Sequence, residues 1–386
     1  MREAAQRIER IAKLVQHPSV SSAAPGWDQG NREVTQELAD MLDGAGFEVE
    51  LMPLPHAPHK VNLLASFGRG PGGLVIAGHT DTVPYDAARW TSDPFTLSER
   101  DGKLVGLGSA DMKAFLALAV EAARGLDPNA LEAPLFVLAT ADEETSMDGA
   151  RALLSAQRPR ARHAIIGEPT DMRPVRAHKG IMMEQLKVVG QTGHSSDPAL
   201  GNNAIDGMFK VLDELSRFRA ELATRYRNAG FSVPVPTLNF GRIQGGDSAN
   251  RICGECALDI DLRLLPGMEM EFLRAELRRR AEDALAGTGL ALLHETTFPG
   301  SPAHELAAEA AIVRAAEELT GEGALSVAFA TEAPFLAALG ADTLVLGPGG
   351  VAEAHRPDEF VRLERLEPTV RLLQELARRF CVGQTG

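Results

Sequence analysis

Cysteine is scarce in this chain, with three in 386 residues. That excludes the disulfide framework of a small secreted scaffold and points to a reducing, cytoplasmic setting. Long apolar runs are also missing. No stretch approaches the ~18 consecutive apolar residues that a membrane span requires. Arg2, Glu3, Arg7, Glu9 and Arg10 break up the N-terminal residues, which therefore lack the apolar core of a signal peptide. No membrane partner is expected. Basic charge is in deficit, with 39 Lys and Arg against 53 Asp and Glu and a formal net charge of −14. A nucleic-acid binder needs the opposite balance, so no nucleic-acid partner is expected either. There is no internal repeat and no long low-complexity segment. What remains is ample apolar material, 44% of residues, enough for two domains or one large domain with an insertion.

The chain is organised around Leu74 to Pro84, LVIAGHTDTVP. An apolar run of strand length stops at Gly78, and His79 and Asp81 follow at once. Such a run reads as a buried strand, and open α/β sheets collect their chemistry beyond the carboxyl ends of their strands. Alternate side chains of extended backbone share a side, so His79 and Asp81 face together. An imidazole can bind a metal through one nitrogen while a carboxylate orients the other. A histidine and an aspartate in a polar turn would look the same, so the reading needs partners elsewhere.

Those partners recur at similar places. GLGSADMK puts Asp111 at the start of a small-residue helix expected over 112–123, where it suits either an N-cap or a ligand. A strand expected over 134–140 runs into Asp142, Glu143 and Glu144. Adjacent acids are commonly just solvated charge, but these follow a buried strand. A short strand at 164–167 ends in Glu168, and one at 343–346 leads through Gly347-Pro348-Gly349-Gly350 to His355. Four strand ends and one helix start thus deliver His79, Asp111, Glu144, Glu168 and His355. Mixed imidazole and carboxylate ligands suit zinc or a similar first-row ion. Five exceed what one open catalytic zinc needs and fit two divalent metal ions sharing a bridging carboxylate.

The remaining elements are expected as helices over 2–16 and 31–42, strands over 47–54 and 61–67, and a small hairpin between 90 and 105. A closing helix is expected over 366–380, with Pro368 in its first turn, followed by a tail at 382–386. The middle of the chain differs in texture. Strands are expected at 183–189, 237–243, 256–264 and 290–296, and helices at 204–225 and 270–285. This is the order of a split β-α-β, ferredoxin-like module. The run CALDIDLR, 256–263, alternates apolar and polar residues as a sheet with one wet face does. Cys253 and Cys256 form a C-x-x-C without a second pair and read as structural thiols. The fold class expected is α/β: a catalytic domain with a mixed central sheet, from 1–180 and 297–386, and an inserted α+β lid at 181–296.

GHTDTVP, GLGSADMK, ADEET, IGEPT and AEAH together resemble the signature set of the M20 family of di-zinc amidohydrolases and peptidases. PVRAHKG, GHSSDPALGNNAI, VPTLNFGRI, GGDSANRIC and TEAPF extend the resemblance over nearly the whole chain, the inserted lid included. The resemblance implies a zinc-peptidase-like fold, two metal ions (zinc, with cobalt as an alternative) and a homodimer formed through the lid. It implies that His79, Asp111 and Glu168 hold one metal, that Glu144 and His355 hold the other, and that Asp111 bridges. It implies a cis peptide after Asp111. Asp81 would fix His79, Glu143 would be the general base, and His194 would stabilise the oxyanion, although a surface histidine is the plain alternative. The implied substrate is a small N-acyl amino acid, N2-acetyl-L-ornithine foremost, with succinylated diamino acids, other acyl amino acids or dipeptides as alternatives. Its carboxylate needs a cationic clamp, for which Arg251 beside Asn250 is the first candidate and Lys179 the second. Glu332 would face a side-chain ammonium, or simply begin a helix.

Overall fold

The apolar run at Leu74 forms a fully buried strand, Leu74–His79, flanked on both sides by parallel neighbours. The structure, a computed structural model, describes residues 2–382, so the expected tail lies, but for Val382, outside them. The chain divides into two compact units. The larger comprises Met1–Arg176, Leu306–Leu325 and Thr331–Gly386, and the smaller comprises Ala177–Glu305 and Ser326–Ala330. The first junction falls close to the expected one at 180/181. The second lies some residues later than 296/297, and a short return segment, 326–330, joins the smaller unit. Among the described residues no helix is long and apolar enough to cross a membrane.

In the larger unit the sheet runs Glu48–Leu54, Ala57–Phe67, Leu135–Thr140, Leu74–His79, His163–Ile166, Asp342–Val345. The last four are mutually parallel and the first two form an antiparallel edge. It is the mixed sheet expected. Helix Lys113–Arg124 connects two of the parallel strands and is buried on nearly every side. Its sequence, KAFLALAVEAAR, is apolar all round, as a helix inside a core must be. Its alanines let helices Arg2–Val15 and Leu363–Cys381 pack against it. One core results, joining Ile11, Leu38, Ile76, Phe115, Val137, Ile165, Leu344 and Leu373. Each such side chain contributes about 1.5–3 kcal/mol of burial. Helices Ala311–Thr320 and Ala333–Ala338 add to the expected elements, and Phe360–Arg362 joins the small hairpin Ser98–Arg100, Lys103–Val105 as a third strand.

One expectation is corrected. Pro368 is not in the first turn of the last helix. The strand Phe360–Arg362 passes directly into helix Leu363–Cys381, so the helix starts three residues early and Pro368 lies inside it. A proline there removes one donor from the helix ladder.

The smaller unit has an antiparallel sheet in the order Thr237–Gly245, Glu255–Leu264, Gly180–Val189, Ala291–Ser301. Helices Ala204–Arg225 and Met270–Leu285 pack together and enclose a second core with the sheet. Taken in chain order the strands lie 2-3-1-4 across the sheet, the arrangement of a ferredoxin-like module. Glu255–Leu264 alternates strictly between buried and half-exposed positions from Cys256 onward, as its sequence requires.

Gly167, between strand His163–Ile166 and Glu168, has no room for a side chain. A Cβ there would sit 2.0 Å from Phe115 Cγ in the core. Gly167→Ala is expected to cost about 1–3 kcal/mol through overpacking. Urea unfolding of the variant beside the wild type checks this; a loss under about 0.5 kcal/mol would contradict it.

Candidate metal centre

The four parallel strands of the larger unit end at one edge of the sheet. His79 is the last residue of its strand and pairs in register with Thr140, and Ala77 pairs with Ile166. Asp142, Glu143 and Glu144 therefore follow at the same edge, and Glu168 follows Ile166 two residues on. His355 arrives on the loop after Asp342–Val345. Asp111 is not the N-cap of the next helix, a place taken by Met112 without a side-chain bond. The peptide bond between Asp111 and Met112 is cis.

Side chains from five separate segments meet here. His79 Nε2 is 3.0 Å from Asp111 Oδ1 and 4.0 Å from Glu168 Oε1. His355 Nε2 is 3.3 Å from Asp111 Oδ2 and 3.1 Å from Glu144 Oε1. Asp111 thus presents one oxygen to each histidine. Two overlapping groups have potential ligand atoms all within 4.8 Å of one another: His79, Glu143 and Glu168, and His79, Asp111 and Glu144.

The support for His79 differs in detail from the expectation. Its Nδ1 lies 2.9 Å from the backbone oxygen of Asp81 and 3.7 Å from the Asp81 carboxylate. The carboxylate instead accepts the Glu144 N–H at 3.0 Å. The reason is local: the carbonyl of Asp81 is the nearer acceptor, and the side chain is free to tie down the acidic turn. Either contact holds the ring so that Nε2 faces the carboxylates.

Electrostatics show how crowded the cluster is. Burial drives the Glu143 carboxyl well above its usual range, and the neighbouring charge of Glu168 adds to this. Burial and the charge of Asp111 do the same to Glu168. Burial also works against ionised Asp111, but hydrogen bonds from His355 and His79 outweigh it and hold that group low. Hydrogen bonds to Asp111 and Glu144 push His355 up to about 11. Glu168 Oε1 and Asp81 Oδ1 are buried without a hydrogen-bond partner. Buried, unpartnered carboxylate oxygens are costly unless a cation meets them. With two imidazoles beside them, the donor set fits zinc and related first-row ions.

Glu332 is also in this unit. It is buried at the start of helix Ala333–Ala338, its Oε1 has no hydrogen-bond partner, and burial raises it to about 7. In the smaller unit, His194 and Arg251 are register partners in a two-residue ladder, Gly193–His194 with Arg251–Ile252, and the Asn250 carbonyl accepts the Ser195 N–H. These three are brought together. Lys179 is not with them: it is buried, and its ammonium donates to the Val235 carbonyl at 2.7 Å.

Residues that the motifs do not single out hold the acidic turn. Asp142 and Met147 have left-handed backbone, with φ of 66° and 57°. The Asp142 carboxylate accepts from Ser21 and Lys60, and from Thr145 and Ser146 at 3.0 Å each. Lys60 also donates to Asp28 at 2.7 Å. In the sequence Asp142 looks like one more acid in a run of three, and Lys60 gives no signal at all.

The model of peptidase family M20/M25/M40 matches residues 75–379. The chain belongs to this family. It is accordingly a hydrolase that acts on an amide bond. An acetylornithine deacetylase from Proteus mirabilis (strain HI4320) is 46% identical over 377 residues, covering 98% of this chain and 97% of the relative. Among solved structures, an M20 family metallo-carboxypeptidase from Sulfolobus solfataricus aligns with a TM-score of 0.77 at 18% identity, over 97% of this chain and 98% of that one. A dinuclear metal-binding peptidase of the M20 family from Bacillus subtilis aligns with a TM-score of 0.67 at 17% identity, over 97% of both chains. These two likenesses establish the fold, and the family membership matches the buried cluster built at its strand ends.

Asp142 allows a test of the turn. Burial opposes its ionisation, but Lys60 and Ser21 outweigh that and lower its pKa. A carboxyl depressed in the folded state stabilises fully above its unfolded value, about 3.9, and loses that stabilisation as pH falls through the folded value. Asp142→Asn is therefore expected to be less stable than wild type at pH 7, with the gap narrowing from about pH 5 towards about pH 2. Urea titrations at stepped pH measure it; a gap independent of pH would contradict the role given to the charge.

Proposed function

We propose that this chain removes the acetyl group from N2-acetyl-L-ornithine, giving L-ornithine and acetate, a step of arginine biosynthesis in the cytoplasm. The observation that carries the reading is the 46% identity to an acetylornithine deacetylase over 98% of the chain. In this reading His79, Asp111 and Glu168 would hold one divalent ion and Glu144 and His355 the other, with Asp111 shared between them. Zinc is the ion expected, with cobalt as a substitute. When bound, such ions polarise an amide carbonyl and lower the pKa of water.

The chain's own groups do the rest. Glu143 takes the proton of the attacking water and returns it to the leaving amine nitrogen. Its place in the cluster supports this: Glu143 is buried, with a carboxylate oxygen within 4.8 Å of ligand atoms of His79 and Glu168. Asp81 orients His79 through its carbonyl. His194 donates to the acyl oxygen as charge develops there. In support, its Nδ1 accepts the Ser196 N–H at 3.2 Å, which puts the ring proton on Nε2, free to donate. Arg251 and Asn250 take the substrate carboxylate. Glu332 meets the side-chain ammonium with its unpartnered oxygen. The functional unit is a homodimer formed through the smaller unit. There Ile205 and Phe209, one helical turn apart, are both exposed and offer an apolar patch to a second copy.

Hydrolysis of N2-acetylornithine and N-succinyl-diaminopimelate by the zinc- or cobalt-loaded enzyme tests the reading. Turnover of the acetyl substrate is expected, falling about 10²–10⁴-fold in Glu143→Gln with both metals still bound. Activity on the succinyl substrate alone would overturn the substrate assignment. Glu332→Gln is expected to impair N2-acetylornithine more than N-acetylmethionine, measured as kcat/KM. Equal losses would remove Glu332 from the substrate's side chain.

A further inference from the structure

Glu359 lies four residues after His355, and nothing in the motifs assigns it a task. It is buried, and three backbone N–H groups converge on its carboxylate. Oε1 accepts from Ala110 at 2.8 Å and from Asp111 at 3.0 Å, and Oε2 accepts from Gly108 at 3.1 Å. Its backbone carbonyl accepts the Gly106 N–H at 3.0 Å and the Ser109 hydroxyl at 3.3 Å. One residue thus holds every position of the GLGSAD loop from Gly106 to Asp111 except Leu107.

The loop needs an outside anchor. Between strand Lys103–Val105 and helix Lys113–Arg124 it forms only turns, and Gly108 has φ of +80°. Buried N–H groups that converge in this way need acceptors, and the Glu359 side chain supplies them. The anchor is itself fixed on both sides. Asp358 accepts from the Thr91 N–H at 2.9 Å and hydroxyl at 3.1 Å, and Phe360 pairs with Val105. The same short segment therefore sets the base of the loop that carries His355.

We propose that Glu359 is a positioning residue for the metal centre: by binding the backbone of Asp111 it aims that carboxylate between His79 and His355 and holds the His355 loop in register with it. The proposal rests on the metal-binding reading above. It concerns groups one bond removed from the ligands, whose loss in metalloenzymes costs about 10–100-fold in metal affinity or activity.

Cobalt binding to the full chain tests it without recourse to turnover, by equilibrium dialysis and by the visible absorption of bound Co²⁺. Glu359→Ala removes all three acceptor contacts and is expected to weaken cobalt binding about 10–100-fold and to alter the absorption bands. Glu359→Gln keeps one oxygen for Ala110 and Asp111 and meets Gly108 with a second donor. Its loss is expected to be intermediate, about 3–10-fold. Arg7→Met serves as a control for simple destabilisation, because the partners of Arg7, Glu121 and Glu367, are outside the cluster. It is expected to lower the melting temperature and leave cobalt affinity within about twofold.

Wild-type affinity and spectrum in either Glu359 variant would overturn the proposal. So would a loss of cobalt in Arg7→Met that matched its loss of stability, since a merely structural role would then account for everything. If Glu359→Ala does not fold, the glutamine variant decides by the same criterion. A wild-type chain that binds no cobalt would instead strike at the metal reading itself, a failure distinguishable from that of Glu359.

Discussion

Like charges held together against their repulsion are the constraint on which the larger unit depends. Asp111, Glu143, Glu144 and Glu168 converge with Asp81 close behind, and all but Glu144 are buried. Two carboxylates about 4 Å apart repel by about 4 kcal/mol at the effective dielectric of a protein surface, and more where water is excluded. Side chains alone would swing apart. The backbone prevents this, because each acid is attached to something that cannot move: a central strand end, a turn tied by Asp142, or a loop tied by Glu359. The apolar sheet and its helices form the frame that keeps these attachments rigid.

The frame explains why so much was legible in the chain itself. Buried parallel strands write themselves as apolar runs, and the residue that ends the run is the residue at the sheet's edge. His79 and Glu168 are readable for that reason. The half-buried strand Glu255–Leu264 is readable from alternation, and the order of elements around it gives the module. Glu332 at its helix start was readable as one of two options, and the structure shows it in that position with an oxygen left over.

The rest was hidden because its meaning depends on distant partners. Lys60 becomes intelligible only beside Asp142, and Glu359 only beside Gly108 and Asp111. No local pattern links residues so far apart. Asp81 faces the expected way, yet whether its carbonyl or its carboxylate reaches His79 is decided within about an ångström, below what spacing resolves. Pro368 misled because proline's preference for a first turn is only a preference, and a strand fed the helix early.

The order of the strands also has a bearing on how the chain is made. His163–Ile166 pairs with Asp342–Val345 along its whole length, yet all of the smaller unit is synthesised between them. A ribosome would therefore release a sheet whose apolar edge has no neighbour, and keep it so while more than a hundred further residues emerge. Unpaired edges of this kind invite pairing with other chains. The smaller unit, with a core of its own, emerges wholly within that interval. The larger one must wait, so its exposure to aggregation is set by the rate of translation across the insertion, and nascent chains stalled there would be the ones a chaperone meets.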